Sequence, residues 1–515
     1  MNSHTASVAD IVRVRARKHP DKVALIHGEQ KLTFRELDDF SDRIAQGLLG
    51  SGLRPGDRVG VLDRSSIFVI AAALASFKAG LTFAGLNWRL TPRELEYQLT
   101  DADLNALFLG PDYREVGREI AAQLPNFRLV HELNDDLVPD ADWLAQWSDV
   151  DPNGTALDGQ PAILLYSSGT TGRPKGVMLG RDGLLGILPG GTRWGFAEDG
   201  VNLVNLPLFH IGGIGWSLLG LYHGNTSVVA RDATAEDLTD LIENHGVTNA
   251  FLVPTLIQMV IESEGFTPDR VQSLRTVVYG GAPITPELLR RAQSLMPCEF
   301  AGSYGLTETT NGITTLPPSQ LRDPETAAKR LASVGQPHDG VKLRVCDPTT
   351  GEILSAGVDG EIQVQAPQNM LGYWRRPEAT AETIEADNWV KTGDVGHLDE
   401  EGFLYLSDRI ADMIISGGEN IYPAEVEAAI AEHPGVAQVA VVGLPHPKWG
   451  ETPVAFVVPA PPARDSLVDE VLAHCRANLA GYKNPTRIVV VDALPLTATG
   501  KIAKTELRQV AESPA

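Results

Sequence analysis

Cysteine is scarce: Cys298, Cys346 and Cys475 are the only three in 515 residues, scattered and odd in number. That excludes a disulfide framework and a cysteine-based zinc site, and it fits a chain kept in the reduced cytosol. Basic residues are outnumbered, 43 Lys and Arg against 66 Asp and Glu, giving a formal charge of −23. A nucleic-acid surface needs a basic stripe, so nucleic acid is excluded as a partner. Local donors can still hold a small anion against the overall field. Long apolar runs are missing as well. The longest, Ile67 to Phe77, is stopped by Lys78, well short of the roughly 20 residues that cross a bilayer. It reads as a buried helix, and no transmembrane segment is expected. The opening "MNSHTASVADIVRVRARKHP" has no uninterrupted apolar core, so it is no signal peptide. A cytoplasmic location is the expectation.

What is present is the composition of a globular protein, 43% hydrophobic and 21% charged. The length exceeds what one core can serve, so at least two domains are expected. Short apolar strands alternate with amphipathic helices. In "ATAEDLTDLIENHGVTNAFLV", Thr234 can cap a helix with Asp237 three residues on. Leu238, Leu241 and Ile242 share one face, Gly246 ends the helix, and Val247 to Val253 reads as a strand. Repetition of this unit predicts a large layered α/β domain with several subdomains and mainly parallel sheets.

The texture changes after about residue 390. "VGHLDEEGFLYLSDR" reads as a hairpin turning at Asp399 to Gly402. A compact α+β pattern follows: helices at 423–432 and 466–479, strands at 436–442, 454–458 and 488–491. The expected division is 1–410 and 411–515, the second part being small and α+β.

"YSSGTTGRPKGV", Tyr166 to Val177, is rich in Ser, Thr and Gly and ends in one lysine. Glycines let backbone N–H groups turn inward, and hydroxyls and Lys add donors, so it reads as a phosphate cradle. It is not a P-loop: Gly169 and Gly172 are too close, and Lys175 is followed by Gly176 rather than Ser or Thr. Further motifs follow in order: "LPLFHIGG" (206–213), "VVYGGAPI" (277–284), "GSYGLTETT" (302–310), "KTGDVG" (391–396), "DRIADMIISGGENIYP" (408–423) and "PLTATGKIAKTELR" (495–508). This series resembles the AMP-forming adenylating enzymes: acyl-CoA synthetases, coumarate–CoA ligases, luciferases and peptide-synthetase adenylation domains. The likeness covers nearly the whole chain.

The resemblance implies a two-step reaction using ATP, Mg2+ and CoA. A carboxylate attacks the α-phosphorus of ATP, and a thiol then displaces AMP. The roles it implies for this sequence are as follows. Ser167, Ser168, Gly169, Thr170, Thr171, Gly172 and Lys175 hold the β- and γ-phosphates. Glu308 is the magnesium ligand, as a hard cation wants carboxylate and phosphate oxygens, and Thr307 contacts the α-phosphate. Gly280, Gly281, Ala282 and Pro283 with Ser303, Tyr304 and Gly305 form the adenine pocket. Asp394 accepts from the ribose hydroxyls, with Arg409 beside it. Lys501 is the catalytic lysine, a cation between carboxylate and α-phosphate. The small domain rotates between the half-reactions. Gly417 and Gly418 then line the pantetheine tunnel, and Trp449 packs on CoA. Two departures stand out. Ala411 occupies a hinge position often Lys or Asp in relatives. Asn484 and Thr486 stand where some relatives bind the CoA 3′-phosphate with basic residues, leaving Lys483 and Arg487.

His210 matches the gate beside the carboxylate. No acid occurs between Gly200 and Arg231 to hold an ammonium, so a substrate without an α-amine is expected. Gly213, Gly215, Ala301, Gly302 and Ser303 suggest a roomy apolar pocket for a medium- or long-chain fatty acid or an aryl, cinnamate-like acid. The reading is an acid–CoA ligase with small-molecule partners, a homodimer being compatible with it. Rival readings are transfer to a carrier protein, a luciferase-like oxygenase, and a non-catalytic adenylate-binding protein.

Overall fold

A computed structural model describes residues 7–124, 126–167, 174–322, 324–409, 412, 414–416, 419–421, 423–447, 449–462, 466–479, 481–497 and 502–512. Two compact units divide it: Met1–Lys342 with Val364–Val390, and Leu343–Gln363 with Lys391–Ala515. The part after residue 410 lies wholly in the second unit. Compactness groups 391–409 with it because the strands Trp389–Leu398 and Leu404–Arg409 pair with one another.

The first unit is layered α/β, as expected. One sheet runs in the order 372–373, 175–180, 161–167, 82–85, 58–62, 106–109, 129–132. Its strands from 161–167 onward are parallel, and the first two are antiparallel. The central strands of the other sheet, 226–229, 201–204, 249–252, 276–280 and 299–306, are parallel throughout. A parallel sheet covered by helices on its faces buries its strands on both sides, which is why these segments are short continuous apolar runs. The run Ile67–Lys78 is indeed a helix, and all twelve of its residues are buried. Lys78 is tolerated there because its Nζ meets Asp38 Oδ1 at 2.5 Å and Asp42 Oδ1 at 2.8 Å, both on the neighbouring helix Phe34–Gly50.

Local signals held closely. Thr234 and Asp237 form the capping box of helix Ala235–His245, and Gly246 closes it at φ +61°. The strand that follows is Asn249–Leu252, two residues later than the texture suggested. In the second unit the hairpin turns where expected, with Gly402 N donating to Asp399 O. Helices Pro423–Ala431 and Leu467–Asn478 pack on strands Val436–His446, Gly450–Pro459 and Arg487–Val490. The first two strands run several residues beyond the apolar segments that announced them, because antiparallel pairing continues from Val436↔Pro459 to His446↔Gly450.

The candidate residues of the first unit gather by one rule. Ser167, Gly280 and Thr307 sit at or directly beyond the carboxyl ends of parallel strands, and His210 ends the loop that leads from strand Val201–Val204 to the next helix. That is where open α/β sheets bind their ligands.

Candidate active site

Only the two ends of the candidate phosphate loop are described. Ser167 and Lys175 face each other as the last register pair of strands Pro161–Ser167 and Lys175–Gly180. Ser168, Gly169, Thr170, Thr171 and Gly172 lie outside the described residues. Next to Ser167, Tyr166 is anchored by its hydroxyl, which donates to Asp101 Oδ2 at 2.9 Å. Burial first, then the Asp101 charge, pushes that phenol upward and keeps it protonated.

Glu308 sits in the 3-10 turn Thr307–Thr309 that ends strand Glu299–Leu306. Thr309 fixes this turn, its Oγ1 accepting from Leu306 N at 2.9 Å. Glu308 is gripped twice: its carbonyl accepts from Met370 N at 2.8 Å, and its Oε1 accepts from the Tyr373 hydroxyl at 3.0 Å. The Lys175 ammonium lies 5.0 Å from the centre of the Tyr373 ring, within cation–π range. Burial, then Glu308, push the Tyr373 phenol up. A carboxylate and an ammonium thus meet one aromatic side chain. Among the described residues no group of three or more His, Cys, Asp or Glu could hold a metal ion. A lone carboxylate beside a phosphate site nevertheless fits Mg2+, which keeps several waters and takes its remaining ligands from phosphate.

In the adenine segment the three glycines differ. A Cβ on Gly280 would lie 2.3 Å from Ser303 O, and one on Gly305 would lie 2.1 Å from Asn311 O. Both are close-packing positions between paired strands. Gly281 has φ +78° and open space, with only Val253 Cγ1 near, at 3.6 Å. Ala282 and Pro283 continue this turn toward helix Pro286–Leu295. Tyr304 is buried and Ser303 half-buried in the adjoining strand.

His210 is the N-cap residue of helix Ile211–His223, its carbonyl accepting from Gly213 N and Ile214 N at 3.0 Å each. Its ring lies 4.3 Å from that of Phe209. The roomy pocket inferred from glycines needs correction. A Cβ on Gly213 would strike Pro207 O at 2.1 Å, and one on Gly302 would meet Tyr279 Oη at 2.9 Å. Gly215 is faced by Ile211 Cδ1 at 3.2 Å and Asn311 Nδ2 at 3.3 Å. These glycines admit neighbouring atoms of the chain and are not themselves a cavity. Ala301 is fully buried. Behind them stands an aromatic group of which the sequence reading reached only Trp216, in the segment after His210. Trp194 Nε1 donates to Thr315 Oγ1 at 3.1 Å, which also meets His338 Nε2 at 2.8 Å. Trp216 lies 6.3 Å from Trp194 and 5.6 Å from Phe251. Asn311, at φ +130°, turns its Oδ1 onto Gly312 N at 2.9 Å. Apart from Trp216, nothing in the linear pattern marks these residues, which come from five separate segments. Tyr373 had a signal, the Gly-Tyr-Trp of "NMLGYWRRPEAT", but no chemistry attached to it.

In the second unit Asp394 is buried and stands opposite Arg409 in the antiparallel register. Its N–H donates to Thr392 Oγ1 at 3.1 Å. Gly417, Gly418, Ala411 and Lys501 lie outside the described residues. The bridge Leu496↔Ile502 brackets the segment that carries Lys501. Trp449 is 45% exposed, which suits a packing surface for a ligand. Lys483 is engaged: its Nζ meets Glu425 Oε1 at 2.5 Å and Oε2 at 2.7 Å. Asn484 turns back on Gly481 O, and Thr486 N donates to Pro453 O at 2.9 Å.

Known proteins resemble the chain over nearly all of its length. Residues 12–374 match the AMP-binding enzyme family, and residues 425–501 match the AMP-binding enzyme C-terminal domain. Feruloyl-CoA synthase of Amycolatopsis sp is 38% identical over 504 residues, 96% of this chain and 97% of that protein. Fatty acid–[acyl-carrier-protein] ligase ScoC of Streptomyces coeruleorubidus is 36% identical over 499 residues, 96% and 94% of the two chains. The crystal structure of ATP-bound MatB from Rhodopseudomonas palustris superposes with a TM-score of 0.90 at 31% identity, covering 98% of this chain and 99% of that one.

Proposed function

The chain belongs to the AMP-binding enzyme family, and from that premise we propose that it joins a hydrophobic carboxylic acid lacking an α-amine to CoA through an acyl-adenylate. The observation that carries the reading is the meeting of Glu308 and Lys175 on Tyr373 beside the phosphate loop. A carboxylate and an ammonium held on one side chain suit a triphosphate and its counter-ion, and this supports the reading. A bare carboxylate is a poor acyl donor because oxide leaves badly. In the first step a carboxylate oxygen attacks the α-phosphorus, the bond to the β-phosphate oxygen breaks, and pyrophosphate departs. In the second, the thiolate of CoA attacks the acyl carbon and AMP leaves with the electron pair.

The proposed roles are those that the family resemblance implies. Ser167, Lys175 and the intervening loop orient the β- and γ-phosphates. Thr307 faces the α-phosphate. Magnesium, when bound, would neutralise charge on the phosphates, with Glu308 as the protein ligand. The base slides against Gly281, the one adenine-pocket glycine with open space, and Tyr304 stacks on it. Asp394 and Arg409 hold the ribose. His210 borders the acid. Lys501 supplies the cation of the adenylation step, and Gly417, Gly418 and Trp449 guide the pantetheine of the second. The filled glycine spaces and the aromatic group behind them favour a compact aryl acid over a long alkyl chain.

A second reading, delivery to the phosphopantetheine of a carrier protein, draws on one observation. Lys483 is tied to Glu425, and Asn484 and Thr486 are neutral, so few cations remain for the 3′-phosphate that distinguishes CoA. Mass-spectrometric detection of thioesters from a panel of acids with ATP and magnesium, offered CoA, dephospho-CoA and a carrier protein, separates the two. Absence of ATP–pyrophosphate exchange with every acid sinks both.

A further inference from the structure

Tyr373 enters the site from a two-residue strand, Gly372–Tyr373, laid antiparallel on Lys175–Gly180 with Tyr373 opposite Val177. Lys175 is two residues from Val177 and so on the same face of the sheet as Tyr373. The strand is pinned on both sides of the tyrosine. Leu371 N donates to Met178 O at 2.8 Å and Trp374 N to Gly176 O at 2.7 Å. Tyr373 N donates to Thr380 Oγ1 at 2.9 Å, and that hydroxyl donates to Arg376 O at 2.8 Å. Gly372 is required here: its φ is +135°, and a Cβ would lie 2.7 Å from Thr380 Cγ2. The side chain is buried, 9% exposed.

Such anchoring serves a geometric purpose. The hydroxyl of Tyr373 holds Glu308 Oε1, while its ring face receives Lys175. A carboxylate and an ammonium this near a common side chain would otherwise close on each other and cancel. Among the described residues no ion pair joins them, and Glu308 Oε2 is left for a further ligand. We propose that Tyr373 is a positioning residue that keeps Glu308 and Lys175 apart and aimed, one at the metal and one at the phosphates of a bound metal–triphosphate. This rests on the ligase reading above.

The test compares wild type, Tyr373→Phe and Tyr373→Leu by calorimetric binding of a non-hydrolysable ATP analogue, with magnesium and with EDTA. Phe keeps the ring and loses the hydrogen bond to a charged group. It is expected to weaken binding about tenfold with magnesium and to leave binding in EDTA unchanged. Leu also loses the ring, so binding in EDTA falls as well. In steady-state assays the KM for MgATP rises in the Phe variant while the KM values for acid and CoA hold. In a Glu308→Gln background, Tyr373→Phe adds nothing. Equal weakening with and without magnesium, or an effect additive with Glu308→Gln, overturns the proposal while the ligase reading stands. A Phe variant that binds like wild type does the same. If wild type binds the analogue under neither condition, the ligase reading falls first. Melting curves matched to wild type confirm that the Phe variant is folded. If it is not, the Leu variant's loss in EDTA and the Glu308→Gln loss in magnesium carry the test.

Discussion

Gly280 and Gly281 are adjacent, and their substitution by alanine separates packing from ligand contact. A Cβ at Gly280 would sit 2.3 Å from the Ser303 carbonyl oxygen, more than 1 Å inside ordinary contact. The obstacle is backbone of a paired strand, Gly280↔Ser303, which has no rotamer to change. Overpacking of this kind costs about 1–3 kcal/mol, and at about 2–4 °C per kcal/mol the melting temperature should fall by about 5 °C. Gly281→Ala meets only Val253 Cγ1, at 3.6 Å, so its methyl group points into open space. Its φ of +78° adds a strain of about 1 kcal/mol. If adenine lies against this backbone, the methyl group stands where the base must slide. The KM for ATP should then rise about tenfold, equivalent to ~1.4 kcal/mol. The assay is ATP–pyrophosphate exchange at saturating acid alongside a thermal melt. Gly280→Ala is expected to lose stability, and Gly281→Ala to lose ATP affinity with a smaller loss of stability. A Gly281→Ala enzyme with unchanged ATP KM would refute the adenine placement. A Gly280→Ala chain melting like wild type would refute the packing argument.

Other outcomes can be checked independently. Lys501→Ala should abolish acyl-adenylate formation yet leave CoA attack on supplied acyl-AMP largely intact; equal loss in both half-reactions contradicts the assignment. Burial, then Arg193, holds the His338 imidazole down at about 4, below an unfolded value near 6.5. The folded chain therefore binds this proton less readily than the unfolded one. The stability it contributes is complete above about pH 6.5 and is lost as pH falls toward 4, about 3 kcal/mol in all. Melts from pH 7 to 4.5 should show that loss, and His338→Gln should flatten it. Lys78→Met strands Asp38 and Asp42 beside a fully buried helix and should cost about 3–5 kcal/mol at pH 8. Burial already raises Asp42 to about 6, so the penalty should shrink at pH 5, where that carboxyl is neutral. A penalty independent of pH would refute this account.

Local chemistry was legible in the linear chain because it acts over a few residues. The capping box at Thr234, the Gly246 stop and the 399–402 turn each depend on side chains within five positions, and each is found where expected. The buried helix 67–78 was readable because an unbroken apolar run leaves no face for water. Ordered motifs identified the chemistry for a related reason: a phosphate loop, a metal carboxylate and a distant lysine each need particular residue types. What glycines were for was not legible. Gly213 and Gly302 look like empty space in one dimension, and only the tertiary structure shows that Pro207 O and Tyr279 Oη fill it. Likewise Tyr373 lies 65 residues from Glu308 and 198 from Lys175; strand pairing brings it to Lys175, and hydrogen bonds from the Tyr373 hydroxyl and Met370 N bring it to Glu308. Sequence by itself determined which reactive groups the chain owns. Their proximity was decided by the fold, because hydrogen-bonded strands join residues without regard to their separation along the chain.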